Sequence, residues 1–165
     1  MPYITYLGGF EFVLLFCLIA ILLCIVFKNK DAKRIALLCL LSLVIAAGIG
    51  FILKHIFTQP RPFILLNNVR VLVTELDPNS FPSGHTLSTF SVVGFLALKT
   101  KNKLWAVLLI VWGLLVGFSR IYVGVHMPLD VLAGIAVGMF SAYFVYKFED
   151  KIFEIYYSVV GVFKK

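Results

Sequence analysis

The sequence predicts an all-α fold, a polytopic transmembrane helical bundle of about five spans followed by a C-terminal interfacial helix. Three observations lead there. Of the 165 residues, 61% are hydrophobic and only 14% are charged. The apolar stretches 10–27, 35–57, 104–118 and 129–146 approach or reach the roughly 20 residues a helix needs to cross a hydrocarbon core of about 30 Å. The basic residues collect in alternate segments between those stretches, as the loops of a membrane protein do.

Taken in order, the first run has no basic region before it and no small-residue cleavage pattern after it, so it is expected to be retained as a span. Cys17, Cys24 and Cys39 fall inside the first two helices, where small apolar packing is the expected role and a disulfide is not. The second run, 35–57, leads into the one long connection, in and beside which stand four of the six prolines: Pro60, Pro62, Pro78 and Pro82. A connection of that length in a small membrane protein is a candidate functional loop. Its stretch 65–76 has mixed polarity and fits either a short interfacial helix or an irregular lid. The third run, 86–98, is too short to span unless its helix begins near Ser83 or its outer end is sunk in protein. Runs four and five complete the bundle. The tail, 149–165, mixes Ile152, Phe153, Ile155, Tyr156, Val159, Val160 and Phe163 with charges, and reads as an amphipathic helix at the cytoplasmic interface. With no linker, repeat or low-complexity tract, the chain is expected to form one domain, 1–165, with a motif core at 54–130.

A net charge of +7 invites a nucleic-acid partner, but the placement of the charges argues against one. Lys28, Lys30, Lys33 and Arg34 follow the first span, Lys99, Lys101 and Lys103 the third, and Lys147, Lys151, Lys164 and Lys165 the fifth. By the positive-inside rule these segments are cytoplasmic, the C-terminus with them, and the loops at 58–84 and 119–128 lie outside. That accounts for eleven of the fifteen basic residues. Lys54, Arg61, Arg70 and Arg120 remain, and each needs another reason to stand on the outer side.

Three clusters fall on that side. Lys54 precedes Arg61 and Pro62 in a K-x6-R-P spacing and interrupts an apolar run, where a charge is costly and suggests a site rather than simple snorkelling. Phe81-Pro82-Ser83-Gly84-His85 reads as a helix start with exposed amides, which suits an anion. Ser119-Arg120, His126 and Asp130 form an S-R-x5-H-x3-D pattern, in which His126 and Asp130, four apart, share a helix face. A lone histidine at a helix start would more often be a cap or a surface residue, so the clusters count together rather than singly. His55 belongs to none of them and reads as structural.

In order and spacing, Lys54/Arg61/Pro62, Pro82/Ser83/Gly84/His85 and Ser119/Arg120/His126/Asp130 resemble the signature of the type 2 phosphatidic acid phosphatases, a superfamily that includes membrane lipid phosphatases, soluble acid phosphatases and vanadium haloperoxidases. The resemblance covers 54–130. It departs in one respect, since members commonly have six spans and five are counted here.

The resemblance implies a metal-independent phosphatase with no cofactor. His126 would attack phosphorus and form a phosphohistidine, Asp130 would hold its other ring nitrogen, and His85 would protonate the leaving oxygen. Lys54, Arg61, Ser83, Gly84 and Arg120 would bind the phosphate. The residue types suit this chemistry, because a phosphoryl group in transfer spreads negative charge over its oxygens and needs clustered fixed donors. The sequence offers no carboxylate cluster for a metal. The expected partners are membrane lipids and a lipid phosphate substrate, with no nucleic acid and no protein partner deducible. Among substrates a polyprenyl diphosphate of the undecaprenyl type is favoured, because the small chain has no added domain to read a large headgroup. Phosphatidylglycerophosphate, phosphatidate and lipid-A-type phosphates are the alternatives. Vanadate-dependent haloperoxidase chemistry is disfavoured by the membrane character, and a non-catalytic lipid-phosphate binder or carrier by the presence of two histidines and Asp130.

Overall fold

The computed structural model describes residues 1–162, with side chains to 158. Phe163, Lys164 and Lys165, assigned above to the tail and its charges, lie outside the described residues, as do the side chains of Val159 and Val160. Seven helices follow one another: α1 (Pro2–Tyr6), α2 (Phe10–Val26), α3 (Lys30–Ile56), α4 (Pro62–Leu65), α5 (Gly84–Lys99), α6 (Lys103–Tyr122) and α7 (Pro128–Val162). No strand forms among the described residues, and α3, α6 and α7 are long and apolar enough to cross a membrane. Phe16, Leu22, Ile52, Leu104 and Leu132 are exposed on the outer surface, as lipid-facing side chains are. The protein is an integral membrane protein.

The short third run becomes α5, and its shortness has a packing cause. Ten consecutive residues, Thr86 to Phe95, are buried. The helix is the centre of the bundle, packed against α7, α6, α3 and α2. At 16 residues it is about 24 Å long. Its N-terminal end stops under the long connection, with Ser83 fully buried, so no apolar side chains are needed there to reach headgroups. The closest packing is with α7, where a Cβ on Gly134 or Gly138 would come within 2.9 Å of the Ser83 carbonyl oxygen or 2.7 Å of the Leu87 carbonyl oxygen. Small residues four apart let the two backbones approach this closely.

The end of the bundle away from that connection has tight turns. Asn29 caps α3 by accepting from the Ala32 amide at 3.0 Å, and Asn102 caps α6 by accepting from the Leu104 amide at 2.9 Å. The tail differs from the expected separate interfacial helix: α7 runs unbroken to Val162. Neither proline nor glycine occurs between Gly138 and Gly161 to stop it. Arg34 also holds the extension, bonding Asp150 at 2.6 Å and lying 4.6 Å over the Phe153 ring.

Two further elements position the site. The connection between α3 and α5 makes one turn, α4, and is irregular from 66 to 83, so 65–76 holds no second helix. The N-terminal turn α1 packs against α6, with Thr5 buried and Gly8 so close to Val116 that a Cβ there would be 2.2 Å from its Cγ1. Five residues are too few to show a helical period, which is why the sequence did not announce α1.

Candidate active site

Successive helices run in opposite directions, so the end of α3, the start of α5, the end of α6 and the start of α7 meet at one end of the bundle. The three sequence clusters come together there. Backbone contacts fasten them: the Ser83 amide donates to the Asp130 carbonyl oxygen at 3.0 Å, and Arg61 Nη1 donates to the Val125 carbonyl oxygen at 2.9 Å. Gly124 makes the turn between α6 and α7 with φ +79°, and a Cβ there would strike the Arg70 carbonyl oxygen at 2.6 Å.

His126 lies in this turn, 3% exposed, with its two ring nitrogens facing different partners. Nδ1 is 3.4 Å from Asp130 Oδ2, and Nε2 is 3.4 Å from Arg61 Nη1. Both distances are long for a hydrogen bond, as is common before substrate tightens a site. Asp130 is aimed by the Met127 amide, which donates to Oδ2 at 2.8 Å. Burial lowers the His126 pKa to about 4, with Arg120 and Arg61 acting in the same direction and Asp130 opposing them. The imidazole is therefore neutral at neutral pH and keeps a lone pair.

Arg61 and Arg120 are each 2% exposed, which only paired guanidiniums sustain. Arg61 Nε donates to the Asp77 carbonyl oxygen, and its Nη2 lies 3.5 Å from Glu75 Oε1. Arg120 Nη1 donates to Thr5 Oγ1 at 2.8 Å, and its Nη2 donates to Glu75 Oε2. Arg120 Nε is buried and has no partner among the described residues. Burial pulls the Arg61 pKa below the ordinary guanidinium value, against the pull of Glu75, Asp77 and Asp130, and a guanidinium remains charged regardless. Lys54 Nζ bonds Asp77 Oδ2 at 2.6 Å and the Asn79 carbonyl oxygen at 2.8 Å. Burial alone would raise the Asp77 carboxyl, but Lys54 and the Asn79 amide hold it below the usual carboxylate range.

Ser83 is the N-cap of α5, fully buried, its hydroxyl accepting from Thr86 Oγ1 at 2.9 Å. The amides of Gly84, His85 and Thr86 have no backbone partner, and a Cβ on Gly84 would meet nothing within 4 Å, so this helix start opens onto free space. His85, in the first turn, lies in the field of Arg120, His126, Arg61 and Lys54. All eight residues expected at the site are thus at one end of the bundle. Arg70 is exposed, and His55 is exposed and bonded at Nδ1 to its own helix at the Phe51 carbonyl oxygen.

Sequence reasoning missed Glu75, Asp77 and Thr5. A signal existed for the first two, since the chain has only eight acidic residues and these stand in the loop that carries the unexplained cations. Thr5 had none.

Comparison with known proteins decides the family. The model of the PAP2 superfamily matches residues 35–154. The chain belongs to the PAP2 superfamily. It is 36% identical to an undecaprenyl-diphosphatase of Sulfolobus acidocaldarius over 69% of this chain and 55% of that protein. It is 34% identical to the bacitracin transport permease protein BcrC of Bacillus licheniformis over 82% of this chain and 66% of that one. The chain thus spans between about half and two thirds of the length of these curated relatives. Among solved structures, the PAP2-type phosphatidylglycerolphosphate phosphatase of Bacillus subtilis superposes with TM-score 0.78 at 30% identity, covering 92% of this chain and 76% of that one. The matched region of the PAP2 model includes Lys54, Arg61, Ser83, Gly84, His85, Arg120, His126 and Asp130.

Proposed function

We propose that this PAP2 protein is a lipid phosphatase that hydrolyses a polyprenyl diphosphate at the outer membrane surface through a phosphohistidine on His126. One observation carries the reading: a buried imidazole has Nδ1 3.4 Å from Asp130 Oδ2 and Nε2 3.4 Å from the buried guanidinium of Arg61. Binding alone calls for cations; a ring nitrogen presented to them with a carboxylate behind it is what attack on phosphorus calls for.

In this mechanism Arg61, Arg120 and Lys54 take up the charge of the terminal phosphate, and the free amides at the start of α5 add donors. His126 Nε2 attacks phosphorus in line with the departing oxygen, which takes a proton from His85. Asp130 steadies the positive charge that develops on the ring. His85, now neutral, accepts a proton from the water that attacks the phosphohistidine, and inorganic phosphate leaves. A diphosphate substrate is supported by the name of the Sulfolobus relative. The outer position of the site is supported by the basic turns at the opposite end of the bundle.

The test is phosphate release from a panel of lipid diphosphates and monophosphates in nanodiscs, with rapid quenching on terminally labelled diphosphate. The expected outcome is fastest release from polyprenyl diphosphate and an acid-labile phosphoenzyme that is missing in His126→Ala. Binding of the whole panel with no release would identify a carrier instead.

A further inference from the structure

Two loop carboxylates already engage the cations of the site before any substrate reaches it. Asp77 pairs with Lys54, and Glu75 with both Arg61 and Arg120, but these two carboxylates are held differently. Asp77 is tied into its own loop, Oδ1 accepting from the Asn79 amide at 2.9 Å. Glu75 has no such tether. Among the described residues its carboxylate meets only guanidiniums, one oxygen toward each arginine. Its side chain is 20% exposed where both arginines are at 2%, and it stands on the irregular stretch 66–83.

The arginines have other anchors besides Glu75. Arg61 is held through Nε and Nη1 by the carbonyl oxygens of Asp77 and Val125, and Arg120 through Nη1 by Thr5. The Nη2 groups of both, together with the unpartnered Nε of Arg120, are the donors left over, and Glu75 occupies the first two.

We propose that Glu75 is a displaceable stand-in for the substrate phosphate, a positioning residue that fills the two arginine forks in the resting site and is exchanged for phosphate in each turnover. The inference rests on the phosphatase reading and adds a competitor to it. A carboxylate brings one negative charge, whereas a phosphate group brings about −1.5 to −2 and three acceptor oxygens, so phosphate can displace it. Because Glu75 competes with substrate and product alike, it weakens binding of both and returns to the forks as inorganic phosphate departs.

The experiment compares wild type with Glu75→Gln, which keeps the size of the side chain and removes its charge. Binding of inorganic phosphate and of orthovanadate is measured by calorimetry on protein in nanodiscs, beside KM and kcat for a lipid phosphate. Glu75→Gln should bind both anions at least about tenfold more tightly, ~1.4 kcal/mol. Its KM should fall in parallel, with no rise in kcat. Equal or weaker anion binding, in a preparation whose wild type turns over, overturns the inference and leaves the phosphatase reading standing. A wild type that neither binds phosphate nor releases it from any lipid overturns that reading and this inference with it. A readout on wild type alone guards against a variant that fails to fold. Amide hydrogen exchange across 74–78 should quicken when orthovanadate is added, and slowing there would overturn the exchange.

Discussion

Each end of the bundle carries ion pairs, and the most exposed pair at one end contrasts with the most buried set at the other in what burial makes possible. At the basic end Arg34 and Asp150 meet at 2.6 Å with side chains 39% and 85% exposed. At the other end Arg61 and Arg120, each 2% exposed, share Glu75. Water screens the first pair, so its net contribution is small whatever its geometry. The second set is desolvated, which strengthens its field and makes any unmatched charge costly. The lesson is that the exposed pair at the basic end merely joins α3 to α7, whereas in the proposed mechanism the buried set at the other end holds charge for the substrate phosphate.

The largest effect should follow from removing the group on which the site converges. His126→Ala should lower turnover by at least about 10⁴-fold on every lipid phosphate, read as initial rates of phosphate release. Appreciable turnover by this variant would move the nucleophile elsewhere and dissolve the contrast between the two ends.

His85→Ala sharpens the comparison by separating proton donation from charge stabilisation. General-acid help is worth typically 10²- to 10⁴-fold. A lipid monophosphate expels an alkoxide, which needs that proton, whereas a diphosphate expels a phosphate group with a second pKa of about 6. The loss should therefore be much larger on monophosphates. Equal losses on both would make His85 a phosphate-binding residue.

A smaller effect concerns pH. In the proposed mechanism His126 must be neutral to attack, and its burial lowers its pKa to about 4 from an ordinary 6.5. Activity should accordingly persist well below pH 6.5, the acid limb of kcat/KM lying nearer 4 to 5. The same shift has the opposite consequence for stability. The unfolded chain binds a proton at this position as pH falls through about 6.5 while the fold resists until about 4, so stability declines across that window by at most about 3–4 kcal/mol. An acid limb at 6.5 would mean that His126 is not buried among the arginines as described.

The smallest effect belongs to the basic end. A double-mutant cycle on Arg34→Ala and Asp150→Ala should give a coupling below about 1 kcal/mol with phosphate release unchanged. A coupling of several kcal/mol would show that exposure is no guide to the worth of the pairs in this molecule.

Much of the site was legible because its parts are local patterns. His126 and Asp130 are four apart, Ser83 and Gly84 open a helix after Pro82, and Lys54 interrupts an apolar run. Each signal depends on helical geometry or on the cost of a charge in lipid, which act over a few residues. The bundle was legible for the same reason, since hydropathy is read one stretch at a time. The end of the last span was not, because Glu149 and Asp150 look like the start of a surface helix until Lys99 and Arg34 are seen bonded to them.

The sequence by itself thus determined the membrane-spanning helices, the clusters at their ends and, with alternation of direction, that these clusters share one end. Tertiary structure alone decided what lies opposite each cation. Thr5 reaches Arg120 across 115 residues and Glu75 reaches it across 45. No period or spacing records such pairings, because they arise from where the packing of α5 against α7 and of α1 against α6 leaves buried guanidiniums that must find an acceptor.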